Sequence, residues 1–175
     1  MSEIVVQKFG GTSVGTVDRI DSVAEIIKNA SKSNQIVVVV SAMGGETNRL
    51  VDLAKAFGDD PDKREFDALV STGETVSSAL LTMALHSKGI KAKSFSASQI
   101  SMRTTSSYSK AKILDVDAKK ILDVIDSDTI PIITGFQGVT EGGDVTTLGR
   151  GGSDTTAVAI ACLLYTSPSP RDQEA

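Results

Sequence analysis

Cysteine and histidine each occur once in the 175 residues, as Cys162 and His86, and their scarcity removes whole classes of chemistry. One thiol cannot build an intramolecular disulfide framework. A single imidazole, with no cysteine in a catalytic-looking setting, offers little to nucleophilic hydrolysis. Long apolar runs are missing too: "IVVVV" at 36–40 is among the longest and is far too short to cross a bilayer. The N-terminus has no apolar segment of signal-peptide type. Positive charge is not gathered into blocks either. Lys and Arg number 18 against 22 Asp and Glu, they are scattered, the formal net charge is −4 and the sequence pI is near 5.0. Nothing in that pattern draws a nucleic-acid backbone or an anionic membrane surface. The expectation is a cytoplasmic protein with small-molecule partners, no nucleic acid and no membrane.

What is present reads as one globular domain with a core: 40% hydrophobic and 23% charged residues, with 15 Gly and 4 Pro. "EIVVQKF" is a β-branched run that ends in glycines. It is followed by "TVDRIDSVAEIIKNAS", with Val17, Ile20, Val23, Ala24 and Ile27 at helical spacing. "QIVVVVSAMGG" repeats the strand with a run apolar on both faces, as expected of a strand covered by helices on each side. "ETNRLVDLAKAF" predicts a helix, two more follow Pro61, and Gly89 supplies the stop for the longer one. "KAKSFSASQI" is strand-like, "DAKKILDVIDS" predicts a helix with Ala118, Ile121, Leu122 and Ile125 on one face, and "TIPIITGFQGVT" predicts a strand. Strands alternating with helices imply a parallel or mostly parallel sheet with helices on both faces.

In such sheets ligands bind beyond the carboxyl ends of the strands. Three loops carry informative residues there: Lys8 to Ser13, Ser41 to Gly45, and Gly135 onward. Glycines after a strand let backbone N–H groups approach an anion, and a following helix N-terminus adds the positive end of its dipole. Phosphate fits that description, although both standard phosphate motifs fail. "GGTSVGTV" has Thr16 and Val17 where a Walker A loop needs Lys and Ser/Thr, and no G-x-G-x-x-G occurs. The lysine comes before the glycines instead, on the strand end. "TTLGRGGSDTTAVAIA" places glycines, hydroxyls and one carboxylate ahead of a run apolar enough for a buried helix. Ser153 or Asp154 can cap that helix. Capping leaves Arg150 unexplained, and its planar fork suits a carboxylate or a phosphate.

"QKFGGTSV", "VVVVSAMGGETNRL", "STGETVSSALL" and "GFQGVTEGGDVTTLGRGGSDTTA" together, and in this order, resemble the aspartokinase family over nearly everything from Ile4 to about Ala161. The resemblance implies the amino-acid-kinase fold, a three-layer α/β/α sandwich with a mostly parallel sheet, here truncated. It implies transfer of the γ-phosphoryl of ATP, with Mg2+, to the β-carboxylate of L-aspartate, and a homo-oligomer in the full-length enzyme. Lys8 matches the lysine that contacts the phosphates and, with Asp154, the catalytic positions. Gly10 and Gly11 match a backbone cradle for the nucleotide, with Thr12 and Ser13 beside it. Ser41, Thr47, Glu74, Arg150 and Ser153 match positions around aspartate, Arg150 as a carboxylate clamp and Glu74 as partner of the ammonium group. Many relatives read S-A-M-G-K-T-T-N in the second motif, where Gly45 and Glu46 replace the Lys-Thr pair and Thr47 is kept. The alternatives are another enzyme of the same fold, or a fragment that binds ligand without turning it over.

Several weaker stretches take plain readings. His86 is expected as a solvated imidazole near a helix end, Cys162 as a buried-helix residue, "SMRTTSSYSK" as a polar connection, and "FGDDPDKREFD" as a solvated helix start. After Cys162 the family pattern is lost. Residues 1–164 read as the incomplete N-terminal part of a catalytic domain and 165–175 as a non-family tail without structure, with the ACT regulatory domains of the family absent.

Overall fold

The computed structural model describes residues 2–166. Its first half runs strand, helix, strand and then three successive helices: β1 (Ile4–Phe9), α1 (Val17–Ala30), β2 (Gln35–Val40), α2 (Glu46–Ala54) with a 3-10 turn at Lys55–Phe57, α3 (Lys63–Val70) and α4 (Thr72–Ser87). The second half holds β3 (Ala92–Phe95), β4 (Arg103–Thr104), β5 (Ile113–Asp115), α5 (Ala118–Asp126), β6 (Ile130–Thr134), β7 (Gln137–Val139), β8 (Val145–Thr147) and α6 (Gly152–Thr166). Side chains start the helices. Thr16 accepts from the Arg19 N–H at the head of α1, Asp62 from Glu65 at α3, and Asp117 from Lys119 at α5. Gly89, at φ +77°, lets the chain turn away after α4.

The main sheet has the order β1-β2-β6-β3 with every pairing parallel. Strand β2 shows why its sequence is apolar throughout. Ile36, Val38 and Val40 pack with Ile20, Ile27, Leu81 and Leu85 of α1 and α4, whereas Val37 and Val39 pack with Ile121 and Ile125 of α5 and Ile160 of α6. Side chains alternate across a strand, so a central strand between two helical layers needs apolar residues at both parities. The result is an α/β/α sandwich. Among the described residues, Lys63–Ser87 is the one helical stretch with the length and apolarity to cross a membrane. Half of its most apolar window is packed inside the fold.

A second, smaller sheet has the order β5-β4-β7-β8 and mixes parallel and antiparallel pairs. It corrects two expectations. "TIPIITGFQGVT" is not one strand: the chain breaks at Gly135 and Phe136, and β6 and β7 join different sheets. "SMRTTSSYSK" is not a plain connection, because Arg103 and Thr104 form β4 within it. Strands of two or three residues are too short to show a period, which is why the sequence hides them.

Burial corrects three more. Val17 is exposed at 69%, outside the buried stripe of α1. Cys162 is exposed, and so are Val158 and Tyr165: α6 buries Ile160 and Leu164 and turns its other side outward. Asp67, the last residue of "FGDDPDKREFD", is fully buried although the start of that stretch is solvated as expected. His86 is exposed, with Nε2 2.8 Å from the Ala92 carbonyl oxygen. Of the tail expected from residue 165 on, α6 takes in Tyr165 and Thr166, and 167–175 lie outside the described residues.

Candidate active site

The carboxyl ends of β1, β2 and β6 open onto one cleft of about 310 Å³. Bare backbone makes its floor. The β1–α1 loop closes on itself, with the Ser13 and Val14 N–H groups donating to the Gly10 carbonyl at 3.0 and 3.2 Å. A Cβ on Gly11 would stand 3.1 Å from the Ala42 carbonyl oxygen, and one on Gly44 would stand 3.2 Å from that of Gly11. The loops after β1 and β2 therefore interleave so closely that a side chain at either glycine would push the facing backbone back by a few tenths of an ångström.

A second wall comes from α6. Gly149 and Gly151 adopt φ of +82° and +68°, which turns the chain into the helix. Phe136, itself at φ +69°, donates its N–H to Thr156 Oγ1 at 3.1 Å and so holds the β6–β7 turn against the first turns of α6. Ser153 sits on Gly135 so closely that a Cβ there would come within 2.5 Å of the Ser153 hydroxyl oxygen. Asp154, next along, points its carboxylate to Lys8, with Oδ1 2.9 Å from Nζ. The opening wall comes from α2, whose N-cap is Gly45 at φ +82° and which has no side-chain cap, so its first turn faces the cleft through Thr47 and Asn48.

Glu74 closes the back. It lies on the first turn of α4, only 3% exposed, and its Oε1 accepts the Ala42 N–H at 3.3 Å. Its Oε2 is buried with no hydrogen-bond partner. Burial pushes the carboxyl up to about 7, and the Ala42 and Glu74 backbone N–H groups offset only part of that rise. Buried Gln137 steadies this turn of helix: its Nε2 donates to the Ser71 carbonyl at 2.6 Å and to Thr75 Oγ1 at 3.0 Å, and its Oε1 accepts from Thr134 Oγ1 at 2.8 Å. Ser77 Oγ adds a 2.6 Å bond to the Ser41 carbonyl.

Of the residues singled out in the sequence, Lys8, Gly11, Ser41, Thr47, Glu74, Ser153 and Asp154 line the cleft. Gly10, Thr12 and Ser13 belong to the adjoining loop but not to the lining, and Arg150 stands exposed outside it. Met43, Asn48 and Phe136 line the cleft without having been singled out. Asn48 had a signal, since it follows Thr47 on the same first turn, whereas Phe136 is placed by a left-handed turn that no local pattern announces.

Chemically, the cleft offers one primary cation, one buried carboxylate with a free oxygen, hydroxyls, and the N-terminal ends of α2 and α6. Such a set suits a ligand that carries both a phosphate and an ammonium group. The chain is 54% identical over 162 residues to an aspartate kinase of Stutzerimonas stutzeri and, over the same length, to an aspartokinase of Geobacillus stearothermophilus. Each match covers 92% of this chain and 39% or 40% of the relative, so the chain spans about two fifths of the length of these relatives. Among solved structures it resembles E. coli aspartokinase III in complex with aspartate and ADP, with a TM-score of 0.84 and 28% identity, covering 94% of this chain and 47% of that one. It also resembles an aspartate kinase from Synechocystis, with a TM-score of 0.78 and 45% identity, covering 93% and 26%. With the amino acid kinase family matching over residues 3–166, a span that includes every strand and loop that builds the cleft, the chain belongs to the amino acid kinase family.

Proposed function

We propose that this chain carries the aspartate site and the phosphate-facing residues of an aspartate kinase, which moves the γ-phosphoryl of ATP to the β-carboxylate of L-aspartate and yields 4-phospho-L-aspartate. The observation that carries the reading is Glu74. A buried carboxylate oxygen with no partner, lining a cleft that also holds Lys8, calls for a cationic group on the ligand. The ammonium group of an amino acid supplies it. The similarity to aspartate kinases and to an aspartokinase crystallised with aspartate and ADP supports the choice of amino acid and nucleotide.

The reaction asks little of acid–base groups. The β-carboxylate of aspartate is ionised at neutral pH, so the nucleophile needs no general base, and catalysis reduces to in-line placement and neutralisation of phosphoryl charge. Lys8 is the cation for the phosphoryl oxygens. In the free cleft it is held by Asp154, and an incoming phosphate takes over that contact. Gly10 and Gly11, with Thr12 and Ser13, lie where the nucleotide phosphates approach. Ser41, Thr47 and Ser153 present hydroxyls to the amino acid, and Arg150 swings in on its flanking glycines to fork its carboxylate. Among the described residues no cluster of three or more His, Cys, Asp or Glu side chains could hold a metal by itself. Asp154 is the carboxylate that would complete the shell of a Mg2+ ion held mainly by the nucleotide phosphates, and such an ion would neutralise part of their charge. We place the reaction at the start of lysine, threonine and methionine synthesis, in a cytoplasmic homo-oligomer.

The test is ligand discrimination by calorimetry, using L-aspartate against succinate, which is the same dicarboxylate without the ammonium group. L-Aspartate should bind more tightly to this chain, and Glu74→Gln should abolish the preference. Equal affinity for the two in the unaltered chain rejects the reading. In a chain extended to the length of its relatives, ATP-dependent formation of aspartyl hydroxamate in the presence of hydroxylamine reports the acyl phosphate directly.

A further inference from the structure

Beyond the cleft, a dense polar arrangement centres on Asp67 of α3. This carboxylate is fully buried and accepts from two segments distant in sequence. Oδ2 accepts the backbone N–H groups of Ser109 and Thr147, each at 2.8 Å, and Oδ1 accepts their hydroxyls, each at 3.0 Å. Four donors on one carboxylate make a strong, geometrically defined tether.

We infer that Asp67 is a positioning residue for the cleft: by gripping Ser109 and Thr147 it fixes the Gly149–Gly152 loop, and with it Ser153 and Asp154, relative to the wall that carries Glu74. Thr147 ends β8, and the loop begins two residues later. Gly149 lies against the Ser109 backbone, where a Cβ would stand 3.1 Å from the carbonyl oxygen, so the residue that binds Asp67 also bounds the first glycine of the loop. From its other end α3 passes through Ser71 into α4, and Glu74 is on the first turn of that helix. A parallel grip runs from Arg64 of the same helix to Asp144 in the β7–β8 hairpin, at 2.8 Å from Nε. None of Asp67, Ser109 and Thr147 lines the cleft, so Asp67 acts through the loop and not on a ligand.

Arg150 makes this measurable, because it is an exposed trypsin site inside the loop, and Lys32 is an exposed site in the α1–β2 turn at the opposite end of the sheet. The ratio of cleavage after Arg150 to cleavage after Lys32 reads local order of the loop apart from global stability. In Asp67→Ala the ratio should rise about tenfold, as expected when a buried network loses its acceptors. Asp67→Asn should return it to near the original value: the amide oxygen accepts the two N–H groups, and the amide nitrogen donates to the two hydroxyls, which rotate to receive it. An unchanged ratio in the alanine variant, or no rescue by asparagine, overturns the inference. If Asp67→Ala does not fold, Thr147→Val removes one hydroxyl of the four donors and should raise the ratio about threefold; no rise overturns the inference equally.

The effect on ligand rests on the aspartate-site reading, the effect on the loop does not. L-Aspartate affinity should fall in Asp67→Ala and recover in Asp67→Asn. A chain that fails to bind aspartate in its unaltered form sinks the aspartate reading and leaves the cleavage ratio to decide the role of Asp67.

Discussion

Lys8 Nζ lies 2.9 Å from Asp154 Oδ1, joining the end of the first strand to the first turn of the last helix. The pair is open to solvent, with 32% of the lysine and 68% of the aspartate side chain exposed. Exposed ion pairs contribute about 0 to 1 kcal/mol to stability. Its value is therefore positional, and an incoming phosphate can displace it at little cost.

Lys8→Ala should leave the melting temperature of the chain almost unchanged. In a chain extended to the length of its relatives it should lower kcat for aspartate phosphorylation far more than it raises KM for aspartate, because the lysine acts where transition-state charge develops. Thermal unfolding and steady-state kinetics check the two halves. An unchanged kcat refutes the role.

Glu74 should make stability fall with rising pH. Its carboxyl is held near 7 in the fold against an ordinary value of 4.5, so between those values the folded chain keeps a proton that the unfolded chain has lost. The stabilisation is complete below about pH 4.5 and is lost as pH rises through 7, a change on the order of 3 kcal/mol. Glu74→Gln should flatten that part of the profile and be the more stable protein above pH 7. L-Aspartate binding at pH 6 should release a proton, detectable as a buffer-dependent binding enthalpy, since the ammonium group favours the ionised carboxylate.

Arg150 stands outside the cleft between two left-handed glycines, so its proposed contact with the amino acid requires the loop to close. Saturating L-aspartate should slow trypsin cleavage after Arg150. Arg150→Lys keeps the charge and loses the fork, so aspartate affinity should drop about tenfold while ADP affinity barely moves. Equal losses for both ligands would point to a phosphate role instead.

Gly135→Ala tests the packing of the α6 wall. The added methyl would meet Ser153 Oγ at 2.5 Å and its Cα at 2.9 Å, a backbone clash with no rotamer to relieve it. We expect a loss of roughly 1–3 kcal/mol in chemical unfolding and weaker binding of L-aspartate, because Ser153 must shift. Unchanged stability and binding would show that α6 can move as a body.

The sequence by itself determined the main sheet and its helical layers. The both-parity apolar run of β2, the 3.6-residue spacing of Ile20, Val23, Ala24 and Ile27, and the stop at Gly89 are each written in consecutive residues. The loops at Lys8, Ser41 and Gly135 were legible for the same reason: chain direction in a parallel sheet places every strand-to-helix loop at one edge. Only the tertiary structure decided the rest. Asp67 sits in an acidic stretch that reads as a solvated helix start, and it is buried against Ser109 and Thr147, donors 42 and 80 residues away in the chain. The unpaired oxygen of Glu74 and the left-handed turn at Phe136 are likewise properties of surroundings and not of neighbours. Cys162 and Val158 lie in a helix apolar enough to read as buried, and their exposure was settled by which side of α6 the sheet can cover. Periodicity records which face a segment buries when one face is polar, but what each face meets, and whether anything covers it, is fixed by segments far away in the chain.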